Sequence, residues 1–142
     1  RDARIMNIYE GTTQLQVVAA INHVTKGTYL EQIMRYEENA RTEATKPLAE
    51  KLVALREIYQ KAVERVETLD KECNGYKDFH ARRLVEIAGY LILSHILLRQ
   101  AAEVEEYVAP AQIFVKYASK KINEAWSYIA ESEISDVELF KA

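Results

Sequence analysis

The stretch Pro47-Leu-Ala-Glu-Lys-Leu-Val-Ala-Leu-Arg-Glu-Ile-Tyr-Gln-Lys-Ala-Val-Glu-Arg-Val-Glu-Thr-Leu69, closed by Asn74-Gly75, decides the fold. Within it Leu48, Leu52, Leu55, Tyr59, Val63, Val66 and Leu69 recur at intervals of three and four, so one stripe of a helix must face a core. Pro47 suits the first turn, where its missing N–H has no partner to lose. Asn74-Gly75 is a stop signal.

Outward towards the C-terminus, Asp78 reads as the N-cap of a second long helix running to about Glu106, apolar on most sides near Leu91. Pro110 opens a third, on which Phe114, Ala118, Ile122, Ala125, Trp126 and Ile129 share a face. Each helix is about 35–40 Å long at about 1.5 Å per residue. Joined by short loops, they are expected to pack as an antiparallel up-and-down bundle. The fold class is therefore all-α, with Leu52, Leu55, Leu91, Ile92, Ile122 and Trp126 in one core. Four Gly and two Pro in 142 residues leave little room for the turns that sheets need.

Towards the N-terminus, Arg41 to Lys46 is polar and aperiodic and reads as a linker, dividing 1–46 from 47–142. Ahead of it lies a shorter helix pair: one from Thr12 or Thr13, with a capping-box spacing to Gln16, ended by Gly27; the next from Thr28 to about Ala40. Arg1 to Glu10 reads as an irregular lead-in. The first residue is Arg, not Met, so the chain is expected to be processed or cut from something longer.

Composition excludes several classes. Hydrophobic residues make up 49% and charged residues 29%, as in a folded domain. The net charge of −3 argues against nucleic acid as a partner. Cys73 stands alone, so no internal disulfide forms and a reducing compartment is expected, cytoplasmic or of the mitochondrial-matrix kind. Leu84 to Leu98 contains Glu86, Ser94 and His95 and is shorter than the roughly 20 residues of a membrane span, so no span is expected. No metal site is expected either: none of His23, His80 and His95 has a Glu three residues earlier, as di-iron bundles require. His95, on an apolar helix, reads as a hydrogen-bonded core histidine.

One segment carries chemistry. Tyr9-Glu10-Gly11-Thr12-Thr13 sets a carboxylate before a glycine and a threonine-capped helix start. Gly11 permits a sharp turn and close approach of a ligand to the backbone, and free N–H groups at a helix start favour an anion. Flanked by Ile8 and Tyr9, the Glu10 carboxylate is expected to be partly desolvated, which makes it a stronger base.

Arg1-Asp2-Ala3-Arg4-Ile5 followed by Ile8-Tyr9-Glu10-Gly11-Thr12-Thr13-Gln14-Leu15-Gln16 resembles the C-terminal signature of the acyl-CoA dehydrogenase family, RDA-(K/R)-I, a short gap, then IYEGT-x-x-IQ. The resemblance implies an FAD-dependent oxidoreductase that desaturates an acyl-CoA thioester between its alpha and beta carbons. Glu10 matches the base that removes the alpha proton. Thr12, Thr13 and Gln14 match FAD-contacting positions, and Tyr9 and Gly11 match positions lining the thioester. The sequence departs at Val17, where the family often has Arg. Beyond Ala40 it resembles, more loosely, the helical extension of longer members. So 1–46 is expected to be the end of a catalytic domain and 47–142 the extension. An electron-transfer acceptor and a homo-oligomer are implied as partners; acyl-CoA oxidases share the loop and remain an alternative. Without the upstream domains the chain is expected to be inactive and to bind no FAD. A non-catalytic dimerisation or docking module is the competing reading, preferred for residues 47–142. Arg1 to about Lys26, including Ile21, is expected to fray or to bury its apolar groups against a second copy.

Overall fold

The computed structural model describes residues 10–39 and 42–141. Helix α1 spans Glu10–Thr25, α2 Thr28–Asn39, α3 Lys46–Glu72, α4 Tyr76–Glu103, α5 Val108–Glu131 and α6 Ile134–Lys141, with a 3-10 turn at Glu105–Tyr107. There is no strand among the described residues, and the fold is all-α.

The connections follow from local chemistry. α1 ends where Gly27 takes φ +82°, with the Thr25 hydroxyl donating to the Ile21 carbonyl at 3.1 Å. The polar segment before α3 holds an ordered turn: the Thr42 N–H donates to the Thr45 hydroxyl at 3.0 Å, and the two hydroxyls lie 2.9 Å apart. Pro47 sits in the first turn of α3, as its chemistry demands. Gly75, at φ +100°, reverses the chain between α3 and α4. α4 then begins at Tyr76, so Asp78 lies inside its first turn and is not the N-cap expected from the sequence. Asp70, on the previous helix, supplies the oxygen instead: it accepts from the Lys77 N–H at 3.0 Å. A side chain seven residues back in sequence reaches the new helix start because the turn is so tight. α4 stops at Glu103, before the expected Glu106, and Pro110 lies within the first turn of a helix that starts at Val108.

α4 is the central element. α3 and α5 pack along it and against each other, and α1 and α2 also pack on it. Leu52, Leu91 and Ile122 are fully buried and Leu55 nearly so, while Ile92 and Trp126 pack on the edge of the same core. The helix pair before the linker shares that core: Ile21, Val24 and Ile33 are all buried in it. Ile21, expected from sequence to face water or a second copy, is thus covered by its own chain. The reason is that α1 has a partner face waiting on α4, which its own periodicity does not reveal. Ile5, Met6, Ile8 and the side chains of Leu15 and Val18, which shared that expectation, lie outside the described residues.

The C-terminal end of α5 is tied to two other helices. Arg65 of α3 donates to the Ile129 carbonyl at 3.0 Å and to the Ser132 carbonyl at 2.9 Å. The buried Tyr76 hydroxyl of α4 donates to that same Ser132 carbonyl at 3.0 Å. These bonds satisfy carbonyls that a helix end leaves unpaired.

Candidate functional site

The signature segment lies at the start of α1. Tyr9 falls outside the described residues. Glu10, Gly11, Thr12, Thr13 and Gln14 form the first five positions of α1, and their side chains lie outside the described part. The helix therefore starts at Glu10, and Gly11 lies within its first turn rather than in a bend before a threonine cap. A glycine inside a first turn is a modest penalty, of order 1 kcal/mol against alanine, and the residues that follow are ordinary helix formers. At its other end α1 is fixed, since Ile21 and Val24 are buried against the bundle.

Two cavities flank the helix pair. One, of about 390 Å³, opens between α2 and α4 and is lined by Gln32, Arg35 and Tyr36 from α2 and by His95, Arg99 and Glu103 from α4. The spacing explains the grouping: positions three and four apart on α2, and four apart on α4, each form one helix face. His95 is only 1% exposed and its ring stacks on Tyr36 at 6.0 Å between centroids. Neither of its ring nitrogens has a hydrogen-bond partner among the described residues, in contrast to the bonded core histidine expected from sequence. Burial pushes its imidazole down to about 4, opposed by the carboxylate of Glu37. Glu37 itself is held by Arg56 of α3 through two bonds of 2.9 and 3.3 Å.

The other cavity, of about 450 Å³, runs from the α1–α2 turn along α3 and is lined in part by Val24, Leu30, Tyr59, Val63 and Lys71. The Tyr59 hydroxyl is buried without a partner among the described residues, and burial raises its phenol above the usual range.

A third polar group, His80, sits in an aromatic cage. Its ring lies 4.8 Å from those of Tyr76 and Phe79 and 6.0 Å from that of Tyr128. The Arg83 guanidinium lies 3.9 Å over the Tyr128 ring. Burial, with Arg83 and Arg65 nearby, pushes the His80 imidazole down to about 4. No group of three His, Cys, Asp or Glu residues able to hold a metal occurs among the described residues. α4 is long and apolar enough to cross a membrane by length and composition, and its Leu84, Ile87, Leu91 and Leu98 fill the bundle core.

The arrangement leaves the signature turn and the α2–α4 cavity as separate features on separate elements. The cavity was not legible from sequence, because each helix face shows only half of it. The one signal available was Arg99 four residues after His95, just past the apolar stretch Leu84 to Leu98.

Known proteins match this architecture. Residues 25–137 match the family model described as acyl-CoA dehydrogenase C terminal. The fold is similar to that in the crystal structure of an acyl-CoA dehydrogenase family protein from Porphyromonas gingivalis. The TM-score is 0.74 and the sequence identity 25%, over 81% of this chain and 98% of that one. No curated protein sequence matches significantly. The family match begins at the last residue of α1, crosses the polar linker and ends within α6, so it takes in all of α2 to α5. The chain belongs to the acyl-CoA dehydrogenase C-terminal family.

Proposed function

We propose that this chain is the C-terminal part of an FAD-dependent acyl-CoA dehydrogenase, in which Glu10 is the base that removes the alpha proton of an acyl-CoA thioester. The observation that carries this is the position of Glu10 as the first residue of α1. A helix N-terminus favours the ionised carboxylate, the form that accepts a proton. N–H groups in the first turn of an α-helix are donors not committed within the helix, suited to a thioester oxygen as negative charge develops there.

The residues at the start of α1 also fit a flavin. By residue type, Thr12, Thr13 and Gln14 offer donors and acceptors of the kind that a polar heterocycle requires, and the start of a helix favours its anionic tail. These three residues would hold the cofactor, and Tyr9 and Gly11 would line the thioester. FAD, when bound, supplies the acceptor for the hydride leaving the beta carbon. Glu10 takes the alpha proton, the Glu10 N–H polarises the carbonyl, and the buried half of α1 keeps both in register with the bundle.

Residues 1–46 then act as the end of the catalytic domain and 47–142 as a helical extension, the two sharing one core. The reading carries with it an electron-transfer partner, a homo-oligomeric parent and a reducing compartment. Apart from its parent's other domains the chain neither binds FAD nor oxidises acyl-CoA. A docking role for residues 47–142 has its own support in large apolar side chains left open to solvent, Leu93, Ile113 and Tyr117 among them.

In the full-length protein, Glu10→Gln should keep FAD bound and slow acyl-CoA-dependent flavin bleaching by about 10²–10⁴-fold, the usual worth of a general base. Bleaching at the unsubstituted rate would place the base elsewhere.

A further inference from the structure

We propose that Arg56 of α3 is a positioning residue: by holding Glu37 it clamps the α1–α2 pair on the bundle and fixes the helix that begins with Glu10. The inference rests on the reading of Glu10 as the base, and adds what the later helices do for that base. Arg56 Nε donates to Glu37 Oε1 at 2.9 Å and Nη2 donates to Oε2 at 3.3 Å. Arg56 Nη1 donates to Gln60 Oε1, one turn along α3, at 2.6 Å. The two charged side chains are only 17% and 10% exposed, so the pair is largely withdrawn from water. Two parallel bonds from one guanidinium fix the orientation of a carboxylate as well as its position. By contrast, Arg82–Glu86 and Lys121–Glu124 each lie within one helix and are open to water.

The place of Glu37 on α2 gives the pair its role. Leu30, Ile33 and Glu37 follow one another at three and four, so they share one face of the helix. Ile33 is fully buried on that face and Leu30 packs at the edge of the core. Glu37 continues the apolar face as a carboxylate, which is costly to cover without a partner. Sliding α2 by one turn, about 5.4 Å, carries Glu37 out of reach of Arg56, a slip that an apolar residue in its place would tolerate. The pair therefore sets the register of α2 on α3. α1 inherits that register, because Lys26 and Gly27 alone separate the two helices. Val17, Ile21 and Val24 of α1 meet the core at the same helical spacing. Glu10 lies about 10 Å along the axis beyond Val17, so a small tilt at the packed end is enlarged at the base.

The test compares Arg56→Met, Glu37→Met and the double variant with the native protein; methionine keeps much of the volume and removes the pair. In this chain, amide exchange followed by NMR should be at least about tenfold faster in α1 and α2 of Arg56→Met, with α5 at its native rate. In the full-length protein, with FAD bound and helical circular dichroism unchanged, Arg56→Met should slow flavin bleaching at saturating acyl-CoA by about 10–10²-fold, with KM nearly constant. That is the expected consequence of misplacing a reacting group by about 1 Å. The double variant should lose no more than the worse single one. A role in stability alone would leave the rate of the folded enzyme untouched. The proposal is overturned if folded Arg56→Met bleaches at the native rate, if the losses of the single variants multiply in the double one, or if exchange in α5 rises by the same factor as in α1. Glu10→Gln separates this inference from the reading beneath it. Slow bleaching in Glu10→Gln with a native rate in Arg56→Met refutes the clamp alone, whereas a native rate in Glu10→Gln moves the base elsewhere and refutes both.

Discussion

At the scale of single residues, two buried histidines make stability depend on acidity. His80 and His95 both have folded-state values near 4, below the ordinary 6.5, because burial disfavours their charged forms. A base depressed in this way binds its proton more readily once unfolded. Above about pH 6.5 the depression has no effect on stability; between about 6.5 and 4 stability falls, by up to about 3 kcal/mol for each histidine. Urea melts between pH 7 and 4 should therefore show a steeper loss in the native chain than in His80→Phe. That substitution keeps a ring inside the aromatic cage and removes the titrating group. Equal pH dependence in the two proteins would mean that His80 charges in the folded state. The burial of His95 was legible from its apolar neighbours; that of His80, in a stretch that also holds Asp78 and Arg82, was not. That both lack hydrogen-bond partners among the described residues was not legible either, because pairing is decided by atoms on other helices.

At the scale of elements, α3 and α5 were readable because their apolar residues repeat at three and four along one face, and α4 because it is apolar on most sides near Leu91. Leu52→Ala and Leu91→Ala should each destabilise the fold by about 2–5 kcal/mol in urea melts, since both side chains are fully buried. Melts matching the native chain would refute the shared core. α6, by contrast, has eight residues and a single buried one, Val137, and so shows no period to read. The tie at the end of α5 was equally hidden: Arg65 and Ser132 are 67 positions apart. Arg65→Met keeps much of the packing volume and removes both bonds to the α5 carbonyls. It should lower stability by about 1–3 kcal/mol, since the Ile129 carbonyl loses its arginine donor while the Ser132 carbonyl keeps the Tyr76 hydroxyl, and a variant as stable as the parent would show that water replaces the arginine fully. The start of α4 teaches the same lesson in reverse. Asp78 has the right residue type near a helix start, but Asp70 makes the bond, because a positive-φ glycine moved the cap from Asp78 to Gly75, three residues earlier.

At the scale of the whole molecule, the linker at 41–46 marks a change in sequence character without separating two cores. Ile21, Val24 and Ile33 pack into the bundle formed by the later helices. Removing residues 1–27 should therefore destabilise what remains by about 3–6 kcal/mol, from the loss of two buried aliphatic side chains. A truncated chain with an unchanged urea midpoint would show that α1 is an accessory. The packing gives the proposed function its mechanical basis, because the same helix carries Glu10 at one end and core residues at the other. The signature that points to Glu10 was fully legible as a string of residues. The two cavities beside the helix pair were not, since each needs faces from helices far apart in sequence. The most direct measurement is exchange of the alpha hydrogen of a bound acyl-CoA with heavy water in the full-length enzyme, compared with Glu10→Gln. The account predicts exchange in the native enzyme and its loss in the variant with FAD still bound; exchange at an equal rate in both would contradict it.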